Sequence, residues 1–180
     1  MQTTLQKFTK AIPELKKTLS VKSVMAVPRL TKIVLNSGTG RAKDKKRNEL
    51  IANRLGKITG QKASPRAAKK SIATFKLRQG DVIGLAVTLR GPRMYEFIDK
   101  LINVAIPRMR DFKGFDPKAI DEVGNMTIGI KEHTIFPETT DEELKDVFGF
   151  AITFVTSAKS KEAAHEYFKA IGFPFKKEKK

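Results

Sequence analysis

Three segments of this chain alternate large apolar residues with small or polar ones, a two-residue period that indicates strands of a sheet. They are Val82–Arg90, residues 126–130 and residues 150–155. Arg29–Asn36 predicts a further strand, which ends in a Ser-Gly-Thr-Gly turn. Residues 62–79 predict a short strand and a long loop. Pro65 cannot donate to a neighbouring strand, so this last strand is expected at an edge.

Apolar residues at steps of three and four predict helices between these strands. Helices are expected over residues 44–59, after Gly91-Pro92, and over residues 160–171. The first of these is expected to end at Gly60 and to have Leu50, Ile51, Leu55 and Ile58 on its inner face. Thr140 and Glu143 have the spacing of a capping box and predict one more short helix. A first helix is predicted from the apolar stripe Leu5, Phe8, Ile12, Leu15 and Leu19. Together these elements indicate an α+β fold with an antiparallel sheet of about five strands and helices packed on one face.

The opposite face of the predicted strands consists of small or polar residues. It includes Gly84, Ala86, Thr88, Thr127 and Gly129. A face covered by helices would need larger apolar residues, so this face is predicted to stay open. It would let the backbone of a large ligand approach closely. Ordinary solvent exposure is the alternative interpretation.

The charge of the chain is strongly polarised. Thirty-six Lys and Arg against nineteen Asp and Glu leave a net charge of +17. Residues 1–90 hold 21 basic and 4 acidic residues, whereas residues 91–180 hold 15 of each. Such asymmetry favours a surface that meets a polyphosphate such as RNA. A generically basic protein is the alternative.

Several function classes find little support in the composition. The chain has no Cys and two His, which excludes thiolate chemistry and leaves no evident catalytic or metal-ligating constellation. We therefore expect no enzyme, no cofactor, no metal and no small-molecule substrate. No segment is long and apolar enough for a membrane span, so a soluble protein of the cytoplasm is expected. We expect one domain over residues 1–180, with a basic, flexible tail at 176–180.

Two local features are candidates for contact with RNA. Five cations surround Phe75, a combination in which phosphates take the charge while the ring stacks on a base. Phe75 as the hydrophobic anchor of a loop is the alternative. The turn at residues 37–41 lies between a strand and a helix and could hold a phosphate, or be a plain turn. The cations are Arg66, Lys69, Lys70, Lys76 and Arg78.

Eight short motifs are spread over residues 20–175 and together span nearly the whole chain. They are Val27–Asn36, Thr59–Lys62, Lys69–Gly80, Val87–Gly91, Ile106–Gly114, Gly124-Asn125, Ile135–Glu138 and Phe173–Phe175. In sequence and in order, these motifs closely resemble the bacterial large-subunit ribosomal protein number five family.

The resemblance implies a protein of the cytoplasmic ribosome that binds 5S rRNA on the open face of a five-stranded sheet, in the central protuberance. It implies further contacts with large-subunit rRNA, neighbouring ribosomal proteins, P-site tRNA and small-subunit head protein number thirteen. The tRNA-facing loop falls on residues 66–80, with Arg66, Lys69, Lys70, Lys76 and Arg78. The 5S rRNA site falls on Asn36, Gln61, Phe75, Thr88, Arg29 and Lys32. An RNA chaperone or regulator outside the ribosome, built on the same fold, is the alternative function.

Overall fold

The computed structural model describes residues 3–40, 45–110, 112–139 and 147–176. Arg41, the proposed capping box of Thr140 and Glu143, and the tail at 177–180 lie outside the described residues. The helices are α1 (Thr4–Thr18), α2 (Lys45–Thr59), α3 (Pro92–Lys100) and α4 (Lys161–Ala170). The strands are β1 (Leu30–Gly38), β2 (Ser64–Ala67), β3 (Val82–Leu89), β4 (Met126–Ile130) and β5 (Phe150–Thr156).

The five strands form one antiparallel sheet in the order β2-β3-β1-β5-β4, which confirms the α+β fold class. β2 lies at an edge, as Pro65 predicted, because a proline there leaves no ladder hydrogen bond unmade. It pairs antiparallel with β3, with Ser64 opposite Ala86 and Arg66 opposite Gly84. The register shifts between Arg66 and Ala67, where the strand ends.

The chain divides into two compact units, and the prediction of a single domain stays a prediction. The first unit comprises residues 1–33, 89–128 and 153–180, and the second comprises residues 34–88 and 129–152. Four strands, β1, β3, β4 and β5, contribute residues to both units.

The core of the first unit is built around aromatic side chains of α4 and β5. Tyr167 is 1% exposed, and its hydroxyl accepts a hydrogen bond from the Leu30 N–H at 3.0 Å. Burial raises the pKa of the Tyr167 phenol above its ordinary value. Phe154 and Phe168 pack edge to face, with ring centroids 6.1 Å apart. Phe8 of α1 packs against the edge of Tyr167 at 5.6 Å.

The start of α1 differs from the predicted apolar stripe. Leu5, expected on the buried face, is 49% exposed. Thr4 is buried instead, and its backbone N–H donates to Asp99 Oδ1 at 2.7 Å. Thr3 caps the helix: its hydroxyl accepts a hydrogen bond from the Gln6 N–H, and the Gln6 side-chain oxygen accepts one from the Thr3 N–H. The hydrogen bond between Thr4 and Asp99 of α3 therefore determines which face of the first turn is buried. The periodicity of apolar residues cannot show such a contact.

The helical segment that begins at Pro92 continues beyond α3 in two other helical conformations. After Lys100 the backbone widens into a π-turn at Leu101–Ala105, then tightens into a 3₁₀ turn at Ile106–Arg108. Pro107 has no N–H with which to continue the helical ladder, which accounts for the change of geometry at this point.

The core of the second unit lies under α2. Ile51, Leu55 and Ile58 are each at most 3% exposed, as predicted, while Leu50 is only half-buried. Gly60, predicted to end the helix, has φ +67, the left-handed conformation that glycine adopts after a helix C-terminus. Phe148 and Phe150 at the start of β5 complete this core.

Candidate nucleic-acid interface

Residues 68–81 form a hairpin closed by its own backbone. The Ala68 N–H donates to the Asp81 carbonyl at 2.8 Å, and the Gly80 N–H donates to the Ala68 carbonyl at 3.0 Å. Further out, Ile72 and Leu77 exchange hydrogen bonds of 3.0 and 3.1 Å. The segment predicted as a long loop is therefore held by its backbone, and the weak periodicity of its side chains gave no sign of this.

The tip of the hairpin presents an aromatic ring to solvent. Ala73–Phe75 form a single 3₁₀ turn, and Lys76 follows in the left-handed conformation at φ +51. Phe75 is 68% exposed and Ile72 is 44% exposed, so the interpretation of Phe75 as a buried anchor is wrong. An exposed ring on a hairpin held by backbone bonds is suited to stacking on a base.

The predicted cations lie along this hairpin and the strand before it. Lys69, Lys70, Lys76 and Arg78 are exposed, and Arg66 is exposed on β2. The Arg78 N–H donates to Asp81 Oδ2 at 3.0 Å, which fixes the backbone that carries its guanidinium. The five residues assigned to one loop from the sequence are thus exposed on two consecutive elements, β2 and the hairpin that follows it.

In the second unit, Asn36, Arg66 and Gly84 share one face of the sheet. A Cβ placed on Gly84 would lie 3.8 Å from Asn36 Oδ1 and 3.9 Å from Arg66 Cβ. It would also approach the Ser37 carbonyl oxygen to 3.2 Å, closer than most side chains tolerate. A glycine at position 84 therefore allows the neighbouring strands to lie close together. Asn36 and Arg66 border the shallow surface over Gly84, which we call the Gly84 floor.

The side chains of β3 at the Gly84 floor are less exposed to solvent than the sequence predicted. Gly84 and Ala86 are buried, and Thr88 on the same strand is half-buried. These residues are small enough to be covered by adjacent strands and by the side chains beside them, so small size at these positions does not mean exposure. Asn36 remains exposed.

Gln61 is half-buried immediately beyond α2. Its N–H lies 3.3 Å from the Thr59 hydroxyl, which donates to the Leu55 carbonyl at 2.7 Å. The backbone of Gln61 is thereby attached to the last turn of the helix.

Arg29 and Lys32 belong to the first unit, and the other nine predicted contact residues belong to the second. Arg29 is exposed, and its backbone exchanges hydrogen bonds with Ser157 at 2.9 and 3.0 Å. Lys32 is half-buried on β1.

Within the described ranges, no cluster of three or more His, Cys, Asp or Glu could hold a metal ion. His133 is 1% exposed and lies against Arg54. The His165 ring contacts the Phe175 ring at a tilt of 47°, with ring centroids 4.7 Å apart. Asp121 accepts a hydrogen bond from the Asn125 N–H at 2.6 Å.

None of the described helices is both long enough and apolar enough to cross a bilayer.

Two of the buried polar residues of the second unit, Arg54 and Thr39, were not predicted from the sequence to be buried. Arg54 is 3% exposed and lies three residues after Ile51 and four before Ile58. That spacing places it on the apolar face of α2, a signal that was available in the sequence. Thr39 is 5% exposed at the end of β1, and no periodicity distinguishes it.

Comparisons with known proteins agree with these features. Residues 23–78 match the family model described as Ribosomal protein L5, and residues 82–175 match the ribosomal L5P family C-terminus. A large ribosomal subunit protein uL5 from Dichelobacter nodosus is 50% identical over 175 residues, covering 96% of this chain and 98% of the relative. The uL5 proteins of Alkaliphilus oremlandii and Halothermothrix orenii are 49% and 48% identical, covering 92% and 91% of this chain and 93% and 92% of those proteins.

The fold, the exposed basic hairpin and these matches define an RNA-binding protein of the ribosome, structural and not enzymatic. More particularly, the chain belongs to the ribosomal protein L5 family.

Proposed function

We propose that this chain is a structural component of the large ribosomal subunit that binds 5S rRNA. The observation that carries the proposal is the arrangement in the second unit, where Phe75 is exposed at the tip of a basic hairpin. Asn36 and Arg66 border the Gly84 floor in the same unit. Stacking on an exposed ring, phosphate contacts and close backbone approach over small residues are the means by which proteins bind irregular RNA.

The relatives support the ribosomal assignment through their names, since each is a large ribosomal subunit protein. The 5S rRNA contacts are assigned to Asn36, Gln61, Phe75 and Thr88, with Arg29 and Lys32 as supporting cations. The cations of the hairpin are assigned to P-site tRNA, and a contact with small-subunit head protein number thirteen belongs to the same proposal. These finer assignments follow the family resemblance.

A footprint of the purified protein on 5S rRNA tests the central claim. We expect protection of a defined region of 5S rRNA at moderate salt, with no cleavage or ligation of the RNA. Uniform weak protection along the whole molecule would reject specific binding.

Co-sedimentation distinguishes the ribosomal role from that of a free chaperone or regulator. A structural component stays with large subunits in salt high enough to remove loosely bound proteins, because its RNA contacts are enclosed by the particle. A chaperone would be released under the same conditions.

A further inference from the structure

A groove of about 1030 Å³ opens in the second unit between α2 and the hairpin. Its volume is slightly above the usual range for ligand sites, roughly 300–1,000 Å³. The walls are largely apolar and come from α2, β2, β3 and the hairpin. They include Ala52, Ala63, Pro65, Leu77, Val82 and Leu85.

Two polar groups on the walls of this groove have no hydrogen-bond partner among the described residues. One is the hydroxyl of Thr39, a residue that is 5% exposed, and the other is the amide oxygen of Asn48. An unpaired buried polar group costs folding free energy, and native proteins rarely retain one without a use for it. Both residues line the groove, and both oxygen atoms are buried in its wall.

The rim of the groove is basic. Lys45, Lys62 and Arg78 line it with exposed side chains, and Glu49 and Asp81 are the acidic residues of the lining. Cations at the mouth and apolar walls within suit a ligand that has a flat apolar body and an attached phosphate.

A second hollow of about 1010 Å³ adjoins the groove and shares Thr39, Gly40, Lys76 and Leu77 with it. This hollow adds Phe75 to the lining. A strand of RNA that stacks one base on Phe75 would therefore lie beside the entrance to the groove.

We propose that the groove receives the base of an unpaired RNA nucleotide. On binding, the side chains of Thr39 and Asn48 turn into the groove and bond to the edge of the base. The apolar walls enclose the faces of the base, and Lys45, Lys62 and Arg78 hold the adjacent phosphates. Amide and hydroxyl groups recognise bases through such edge contacts. The identity of the RNA rests on the proposed function, whereas recognition of a base by the groove does not.

Titration with single nucleotides tests the groove without ribosomal RNA. Each of the four ribonucleoside monophosphates is added to ¹⁵N-labelled protein, and amide shifts are recorded. We expect at least one nucleotide to shift the amides of residues 39, 48, 52 and 63. Ala52→Leu fills the groove and should abolish these shifts, while Ala163→Leu on α4 is the matched control and should preserve them.

Thr39→Val is the second variant, and it separates recognition from folding. Removing an unpaired hydroxyl should leave the melting temperature unchanged or higher. It should weaken nucleotide binding about tenfold, corresponding to one hydrogen bond. A lower melting temperature with unaltered binding, or no shift at these amides with any of the four nucleotides, would overturn the proposal.

Chemical probing of 5S rRNA distinguishes failure of this proposal from failure of the proposed function. Dimethyl sulfate methylates the pairing edges of unpaired adenine and cytosine. We expect the wild type to protect at least one such base and Ala52→Leu to lose that protection alone. Normal 5S rRNA binding with a protection pattern unchanged by Ala52→Leu overturns the groove assignment. Shifts with monophosphates but no binding of 5S rRNA would reject the proposed function and leave the groove assignment standing.

Discussion

Arg54 Nη1 lies 3.1 Å from His133 Nε2, and both side chains are almost completely buried in the second unit. A guanidinium can only donate, so the imidazole nitrogen accepts, as a neutral histidine can. The ring of His133 also stacks on Phe148, with centroids 4.4 Å apart and an interplanar angle of 11°. The pair joins α2 to the segment after β4 through a polar contact inside an apolar core.

Breaking this pair should destabilise the protein. Arg54→Met keeps much of the side-chain volume but removes the donor, which leaves a buried ring nitrogen of His133 without this bond. We expect the free energy of unfolding to fall by about 1–3 kcal/mol. Urea denaturation followed by circular dichroism measures it. Arg47→Met on the same helix, at a half-buried position, is the control and should change stability by less than about 0.5 kcal/mol. Equal effects of the two substitutions would show that the Arg54–His133 contact is not important for folding.

Tyr167 should make the protein sensitive to alkaline pH. Its pKa is raised in the folded state, chiefly by burial, so the folded chain favours the protonated phenol more than the unfolded chain does. This stabilisation is fully present below the pKa of the unfolded state, about 10, and is lost as the pH rises above it. We expect melting temperatures from pH 8 to pH 11 to fall more steeply above pH 10 in the wild type than in Tyr167→Phe. Tyr95→Phe, at a half-buried position, should keep most of the wild-type slope. Identical slopes for the wild type and Tyr167→Phe would exclude this tyrosine as the cause.

Binding to 5S rRNA should weaken steeply as salt rises, and the hairpin should account for part of that dependence. Each neutralised phosphate releases counterions, so each lost contact lowers the slope of log affinity against log salt by about 0.7–0.9. Lys69→Ala with Lys70→Ala should therefore flatten the slope. The same changes at Lys161 and Lys169 of α4 should not, because residues 91–180 carry no net charge. Filter binding at four salt concentrations measures the slope for each double variant. Equal flattening by the hairpin variant and the α4 variant would mean that the charge asymmetry does not indicate where the RNA binds.

The polar residues of the sheet should contribute to RNA affinity more than to folding. Thr88→Val keeps the shape of the side chain and removes its hydroxyl, and Asn36→Ala removes an exposed amide. Each should cost about 1–3 kcal/mol of binding to 5S rRNA, since a partner group on the RNA is left unpaired. Gln61→Ala should behave in the same way. Titration and thermal melting of the same samples test the assignment. Normal affinity, or a melting temperature that falls while affinity does not, would contradict it.

The hairpin cations should act on tRNA once the subunit is assembled. Replacing Lys69, Lys70 and Lys76 by Ala should leave folding and assembly intact, since all three side chains are exposed. It should raise the dissociation rate of P-site tRNA, with each lost phosphate contact worth roughly 1 kcal/mol. Purified ribosomes that carry the triple variant are compared with wild type at the same Mg²⁺ and salt.

A control for that experiment replaces three exposed lysines of the first unit, Lys10, Lys17 and Lys22. Unchanged tRNA dissociation with normal assembly of the hairpin variant would reject the tRNA role. Failure of the hairpin variant to enter the subunit would assign these lysines to the 5S rRNA site instead.

Local residue patterns were enough to predict the fold class and most element boundaries. Two-residue alternation located β3, β4 and β5 to within a residue or two, because a half-buried strand must place every second side chain in the core. Gly60 and Pro92 marked helix ends through backbone restrictions that hold in any context. Pro65 identified the edge strand for the same reason. Clustered cations around Phe75 indicated RNA from the amino-acid sequence alone, since charge and aromatic content are properties of composition.

Contacts between residues distant in sequence determined the remaining features, which the local patterns could not show. Leu5 is exposed because Asp99, 95 residues from Thr4, bonds the opposite side of the first turn. Arg54 is buried because His133, 79 residues away, accepts its hydrogen bond. Gly84 is covered because two neighbouring strands approach it closely. Periodicity reports which face of an element is apolar, but it cannot report which distant side chain will meet that face. Thr39 is buried beside the groove, with its hydroxyl unpaired among the described residues, because α2 and the hairpin pack around it. The local sequence does not show that packing.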